Sequence, residues 1–286
     1  MMKKVLVVTN SNAGRKKAVK HKKKLVKFLL RHAETFKTVD LDELKTTDVQ
    51  AFDTILVMGG DGTVNKVLPC LVNTYKTLGI IPCGTANLLA AKLGITGNLK
   101  KNLKILEKGK TKNIDTLNIN DNLCVLRCGF GFDSDIICKT PQSLKNKFGY
   151  FAYFVAGIIF ALRLKKKEYI LRIDGEEKTY QASCIIIANA ANMYRNFIAV
   201  GKDSSPNDGL MDIFILKTTN PVALYFELLK MGFNIYKNNS AADYTKAKSV
   251  QILNKWTVCH IDGEKKNLQN DINMSINPHS VRVICR

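Results

Sequence analysis

Four short stretches of this chain combine residue types that chemistry uses. In Val57-Met58-Gly59-Gly60-Asp61-Gly62-Thr63-Val64-Asn65 an apolar run ends in two glycines, an acid, a third glycine and a hydroxyl. Glycines let backbone N–H groups approach an anion closely, and a helix starting there favours negative charge. Asp61 adds a negative charge where phosphates would sit, which suits a residue that handles a metal ion. Asn10-Ser11-Asn12-Ala13-Gly14 and Pro82-Cys83-Gly84-Thr85-Ala86-Asn87 are two further polar turns that follow apolar runs. Any one of the three is explained by turn geometry alone. Together at one sheet edge they offer N–H groups, hydroxyls and amides to a polyphosphate, as nucleotide binding requires. The fourth stretch, His260-Ile261-Asp262-Gly263-Glu264, sets two carboxylates around a glycine and reads locally as a type I′ hairpin turn. Ile173-Asp174-Gly175-Glu176 has the same spacing, so local sequence does not say which copy carries chemistry.

The elements that must hold these turns follow from hydrophobic patterning. Lys3–Thr9, Phe36–Leu41, Thr54–Met58 and Leu78–Ile81 read as strands. Between and after them, Lys16–His32, Asp42–Phe52, Val64–Tyr75, Leu88–Leu93 and Leu99–Lys108 read as helices. Val19, Leu25, Val26, Leu29 and Leu30 form the apolar stripe of the first. This alternation predicts a doubly wound parallel sheet of Rossmann type, whose ligands bind at the carboxyl ends of its strands. From about residue 113 the rhythm changes to short strands: 114–119, 123–128, 169–174, 182–188, 210–216, 249–253 and 256–261. Turn signals at Asn120-Asp121-Asn122, Asp174-Gly175 and Asp262-Gly263 join several of them. That pattern predicts a second domain, an antiparallel β-sandwich interrupted by helices near 142–164 and 221–237. The expected division is residues 1–112 with a final strand near 276–286, and 113–275.

Composition narrows the partners. Among 286 residues, 44 Lys and Arg face 24 Asp and Glu, a formal charge of +20. Such a chain favours nucleotide phosphates, nucleic acid or an acidic membrane surface. No nucleic-acid recognition motif accompanies the charge, so nucleic acid is not an expected partner. Eight scattered cysteines lack C-x-x-C spacing and sit in apolar contexts, which fits reduced thiols in a cytoplasmic protein rather than a zinc site. The N-terminus starts directly on a strand, without the pattern of a signal peptide. Phe148–Leu162 is apolar for about 15 residues, short of the roughly 20 that a spanning helix needs. Followed by Arg163 and Lys165–Lys167, it reads as a buried or interface-lying helix with a basic edge.

Gly59-Gly60-Asp61-Gly62-Thr63-x-Asn65, with Pro82-x-Gly84-Thr85-x-Asn87-x-x-Ala90 some twenty residues on, resembles the diacylglycerol kinase catalytic family of lipid kinases, to which sphingosine kinases are related. Gly129-x-Gly131-Phe132-Asp133, Asn207-Asp208-Gly209-Leu210-Met211-Asp212 and Asp262-Gly263-Glu264 extend that resemblance along essentially the whole chain. It implies an NAD kinase/phosphofructokinase-like nucleotide domain followed by a β-sandwich, and ATP- and Mg2+-dependent phosphorylation of a lipid hydroxyl, diacylglycerol or a related lipid. Carried over, Asn10, Gly59, Gly60, Asp61, Gly62, Thr63, Asn65, Thr85 and Asn87 would hold ATP, with Thr38 near the adenosine. Asp61 would serve the catalytic magnesium, and Glu264, with Asp262 beside it, would take the proton of the attacking hydroxyl. Ser205, Asp208 and the Leu210 carbonyl would bind a second, structural magnesium. An enzyme of this kind would work peripherally at an anionic membrane, and the resemblance leaves room for a homodimer.

Ser11, Lys66, Ala91 and Tyr194-Arg195-Asn196 depart from the family pattern. NAD kinase and phosphofructokinase share the Gly-Gly-Asp-Gly turn, but the Asp-Gly-Glu end and the Pro-x-Gly-Thr-x-Asn block favour the lipid kinases. A catalytically quiet lipid or nucleotide sensor is the alternative of a different class.

Overall fold

The computed structural model describes residues 2–10, 15–140, 161, 164–189, 204–232, 235, 237–254 and 256–286. The expectations for residues 11–14, for most of 142–163 and for Tyr194–Asn196 lie outside the described residues. The chain forms two compact units, Met1–Ile114 with His279–Arg286, and Asp115–Pro278.

The first unit alternates strand and helix: β1 (Met2–Thr9), α1 (Arg15–His32), β2 (Ala33–Asp40), β3 (Thr54–Gly59), α2 (Asp61–Val67), β4 (Thr77–Pro82), α3 (Leu88–Lys92) and α4 (Leu99–Lys108). The strands run in the order β2-β1-β3-β4, all parallel. Every residue of β3 is buried, as expected of a parallel strand covered on both faces. Val5, Val7, Leu56, Met58 and Ile81 pack against Leu25 and Leu29 of α1 and Leu106 of α4. Leu30, read from spacing as part of the α1 stripe, is 69% exposed instead. Residues 42–52 make two 3-10 turns rather than one helix. Asp40 caps the first in a capping box with Glu43, the Thr46 and Thr47 hydroxyls both donate to the Glu43 carbonyl, and Asp48 caps the second. The helix expected to reach Tyr75 stops at Val67, where Leu68-Pro69-Cys70 tightens into a 3-10 turn because proline has no N–H to continue the ladder.

The second unit contains two antiparallel sheets. One is ordered β12 (Ala242–Ala247), β11 (Met211–Leu216), β10 (Cys184–Ala188), β7 (Arg127–Gly131), β14 (Trp256–Ile261), β15 (Glu264–Gln269). The other joins the first part of β16 (Ile272–Ile284) to β13 (Ser249–Ile252), β8 (Lys167–Ile173) and β9 (Glu176–Ala182), while β5 (Thr111–Ile119) pairs with β6 (Asn122–Cys124). Phe130, Ile187, Ile213 and Ile261 from the first sheet meet Leu117, Leu171, Val250 and Met274 from the second in one core, which makes the unit a sandwich. Among its described residues are the helices α5 (Phe132–Lys139) and α6 (Pro221–Gly232). Further along β16, Arg282 and Val283 pair in parallel with β4 of the first unit.

Pattern reading missed β9, β12 and β15. β9 and β15 are edge strands, mostly exposed and rich in Glu and Lys, so they lack the alternation that marks a half-buried strand. The strand expected over 123–128 is broken in two, because the Val125, Leu126 and Arg127 N–H groups turn toward the Asp262 carboxylate.

Candidate functional site

In the first unit the parallel register sets the ends of β1, β3 and β4 level: Thr9 faces Met58, and Gly59 faces Pro82. The residues just beyond them, Asn10, Gly60 and Cys83-Gly84, therefore emerge at one carboxyl edge. Asn10 Nδ2 donates to Thr63 Oγ1 at 3.2 Å, tying the first turn to the second. Thr63 is buried against Gly59, where a Cβ would lie 2.5 Å from its Oγ1. The second and third turns touch back to back, since a Cβ on Gly84 would lie 2.6 Å from the Gly60 Cα. Glycine at 60 and 84 is thus a packing requirement as well as an opening for a ligand.

Several side chains expected to face a nucleotide also hold the backbone. Asn87, in the left-handed region at φ 50°, accepts from Gly84 N–H at 3.0 Å and donates to the Gly84 carbonyl at 2.7 Å. Asp61 receives Leu88 N–H at 3.0 Å on one oxygen and Leu89 N–H at 3.2 Å on the other, so it caps the start of α3. A carboxylate has about four lone-pair sites, so capping leaves acceptor capacity for a cation. Gly62 and Thr85 are exposed, and a Cβ on Gly62 would meet nothing within 4 Å. Asn65 is half-buried on α2, and Thr38 is half-buried on β2, two strands from the central turn. Open space at Gly62, next in the chain to the Asp61 carboxylate, fits a polyphosphate with its metal ion.

In the second unit both Asp-Gly copies are tight hairpins with positive φ at both central residues, 46° and 94° at Asp174-Gly175 and 47° and 89° at Asp262-Gly263. Their carboxylates act alike. Asp174 receives the N–H groups of Lys248 and Ser249. Asp262 receives those of Val125 at 2.8 Å and of Leu126 and Arg127 at 2.9 Å, with the Cys124 thiol at 3.0 Å. Asp262 is therefore the clamp of its turn, and Glu264, the first residue of β15, is the exposed carboxylate that the turn presents.

Beneath the Asp262-Gly263 turn lies a buried charged network that spacing did not reveal. Arg127 Nη1 contacts both Asp133 oxygens at 2.9 and 3.0 Å, and His260 Nε2 meets Asp133 Oδ2 at 2.7 Å. His260 Nδ1 accepts Gly263 N–H at 3.3 Å, so the ring proton sits on Nε2 and is donated to Asp133. Burial raises the Asp133 carboxyl, but Arg127 and His260 outweigh it and hold the group at about 2. Gly129 makes the network possible, because a Cβ there would overlap Asp133 Oδ2 and lie 2.5 Å from His260 Nε2. The Gly129-x-Gly131-Phe132-Asp133 motif was the available signal, and His260 directly precedes the acidic turn.

The third expected cluster is arranged differently. Asp115 anchors the loop: its N–H donates to the Pro206 carbonyl at 2.7 Å and its carboxylate accepts Gly209 N–H at 2.8 Å. Ser205 Oγ bonds Asn207 Oδ1 at 2.7 Å, and Asp208 accepts Leu210 N–H at 3.1 Å on one oxygen. The other Asp208 oxygen takes the Lys246 ammonium at 2.7 Å, and that ammonium also lies 3.9 Å from Asp212. A cation thus already sits at the carboxylate, and the donor set as arranged does not fit a second divalent ion. No cluster of three or more His, Cys, Asp or Glu suited to a metal occurs among the described residues.

A parallel α/β unit with glycine turns at its carboxyl edge and a β-sandwich bearing an acidic hairpin together define the fold shared by diacylglycerol kinases and NAD kinases. The diacylglycerol kinase catalytic domain model matches residues 4–119, and that of the YegS C-terminal NAD kinase beta sandwich-like domain matches residues 128–285. The chain belongs to the diacylglycerol kinase catalytic-domain family. It is 28% identical over 276 residues to the diacylglycerol kinase of Bacillus subtilis strain 168, covering 92% of this chain and 90% of that one. An uncharacterised protein of Synechocystis sp. is 36% identical over 210 residues, which are 73% of this chain but 46% of that longer one. A diacylglycerol kinase crystal structure from Bacillus anthracis str. Sterne superposes with a TM-score of 0.78 at 20% identity, covering 99% and 97% of the two chains.

Proposed function

We propose that this protein is an ATP- and Mg2+-dependent lipid kinase that phosphorylates a lipid hydroxyl, diacylglycerol or a closely related lipid, at an anionic membrane surface. The observation that carries this reading is the turn at Asp262-Gly263-Glu264, whose first carboxylate is consumed as a clamp while the second is presented to solvent. Bound ATP with its magnesium supplies the phosphoryl group and neutralises its charge. The Gly59–Gly62 turn gives the phosphates close approach to backbone N–H groups, with Asp61 as the carboxylate for the metal and Asn10, Thr38, Thr63, Asn65, Thr85 and Asn87 shaping the pocket. Glu264 takes the proton of the attacking hydroxyl, and Asp262 acts through the backbone by fixing where Glu264 stands. The Arg127–Asp133–His260 network supports that turn from below.

The test is transfer of radiolabelled γ-phosphate from ATP and magnesium to a mixed lipid extract, with Asp61→Ala and Glu264→Gln alongside. A labelled lipid that disappears in both variants establishes the activity, and its mobility narrows the acceptor. No labelled lipid from a protein that still binds ATP would overturn the reading in favour of a sensor.

A further inference from the structure

Helix α6 is inverted relative to ordinary amphipathic patterning. Its Leu224 points inward to a cluster with Cys184, Phe214, Leu216 and Ala242. The opposite face carries Val222, Tyr225, Phe226 and Leu229, spaced i, i+3, i+4 and i+7, and they are 62%, 59%, 56% and 36% exposed. A helix on a solvated surface places polar side chains there. Of the eight exposed large hydrophobics among the described residues, these four and Ile235 fall within fourteen positions, so they form a patch rather than normal scatter. The one acid of the helix, Glu227, is turned away: it is 5% exposed and bonded to Lys230 Nζ at 2.7 Å and to Asn239 Nδ2 at 3.2 Å.

Charge complementarity identifies what covers this face. Leu164 packs on the same cluster as Leu224, and the chain continues from it into the exposed run Lys165-Lys166-Lys167. Lys237, five positions past the last residue of the helix, is exposed as well. A second copy of a chain carrying +20 would bring lysine against lysine, whereas interfaces between proteins are depleted of lysine. Anionic headgroups satisfy the lysines, and the headgroup–acyl boundary is where aromatic rings with one polar and one apolar end reside. The Tyr225 and Phe226 rings stand side by side on the outer face, with centroids 5.9 Å apart.

We propose that the outer face of α6 is the docking surface for an anionic lipid bilayer, with Tyr225 and Phe226 at the headgroup–acyl boundary and the neighbouring lysines on lipid phosphates. The proposal rests on the lipid-kinase reading for its biological sense, but its readout is independent of catalysis. The full chain is sedimented with vesicles of phosphatidylcholine, alone and mixed with phosphatidylglycerol. Binding is expected only to the mixed vesicles, weakened by at least about tenfold in Tyr225→Ser/Phe226→Ser. Tyr75→Ser, at an aromatic 95% exposed in the first unit, serves as the control and leaves binding unchanged. In Phe226→Trp, the added emission shifts to the blue on the mixed vesicles and is quenched by brominated lipid. Unaltered binding of the double variant, or no blue shift, would overturn the proposal. So would a wild-type dimer that the double variant converts to monomer in sedimentation velocity. Transfer to micelle-dispersed short-chain diacylglycerol separates the two readings. If the wild type lacks it while vesicle binding still depends on Tyr225 and Phe226, the kinase reading fails and the docking surface stands. If transfer is intact and vesicle binding ignores the substitutions, the reverse holds.

Discussion

Asp262 and Arg127 exchange two hydrogen bonds across 135 positions of sequence: the Arg127 N–H donates to Asp262 Oδ1, and the Asp262 N–H donates to the Arg127 carbonyl, each at 2.9 Å. The acid of the Asp-Gly-Glu turn is thereby a backbone clamp, and Glu264 is left as the presented carboxylate. Asp262→Asn keeps one carbonyl acceptor where the carboxylate gathers four donors, and should lower stability by about 2–4 kcal/mol. Glu264→Gln, at an exposed position, should leave stability within about 0.5 kcal/mol of wild type while abolishing transfer. Denaturant unfolding set beside the phosphate-transfer assay checks the contrast, and equal stability losses would contradict it.

Asp133 makes acid stability a second test. Its folded carboxyl is held at about 2 against an ordinary 3.8, so the ionised form is favoured by folding. The contribution, about 2 kcal/mol, is fully present above pH 4 and is lost as the pH falls through 2. Asp133→Asn removes that dependence and strands the buried Arg127, a loss of about 3–5 kcal/mol near neutrality. Unfolding free energies measured between pH 2 and pH 5 on both proteins should converge toward the acid end.

Gly62 separates nucleotide binding from folding. A Cβ there meets nothing of the protein, and the residue lies within α2, so Gly62→Ala should raise stability by about 0.5–1 kcal/mol. If phosphates occupy that space, calorimetric affinity for magnesium ATP falls by at least about tenfold in the same variant. Gly84→Ala should weaken both, because its Cβ would lie 2.6 Å from the Gly60 Cα.

Lys246 governs the Asp208 loop. With its ammonium 2.7 Å from Asp208, magnesium alone should not raise the melting temperature of the wild type. Lys246→Met frees the Asp208 and Asp212 carboxylates from their cation and should make the melting temperature rise with magnesium. A magnesium-dependent rise already present in the wild type would show that the ion displaces the lysine.

What the sequence determined by itself was local. Glycines after an apolar run marked the turn that follows β3, Asp-Gly pairs at 174–175 and 262–263 marked two hairpins, and the change from helix-and-strand alternation to short strands marked a parallel α/β sheet followed by a sandwich. These features depend on neighbours within a few residues, whose φ preferences and burial pattern are written in adjacent letters. Tertiary structure alone decided that the second hairpin, and not the first, stands over Arg127, Asp133 and His260. It also decided that Asp61 caps α3, that Lys246 occupies Asp208, and that Leu30 faces solvent. The contacts among these join residues far apart in sequence, and the exposure of Leu30 depends on which elements pack against α1. A carboxylate's role is set by the donors that reach it, and only the folded chain brings those donors within hydrogen-bond distance.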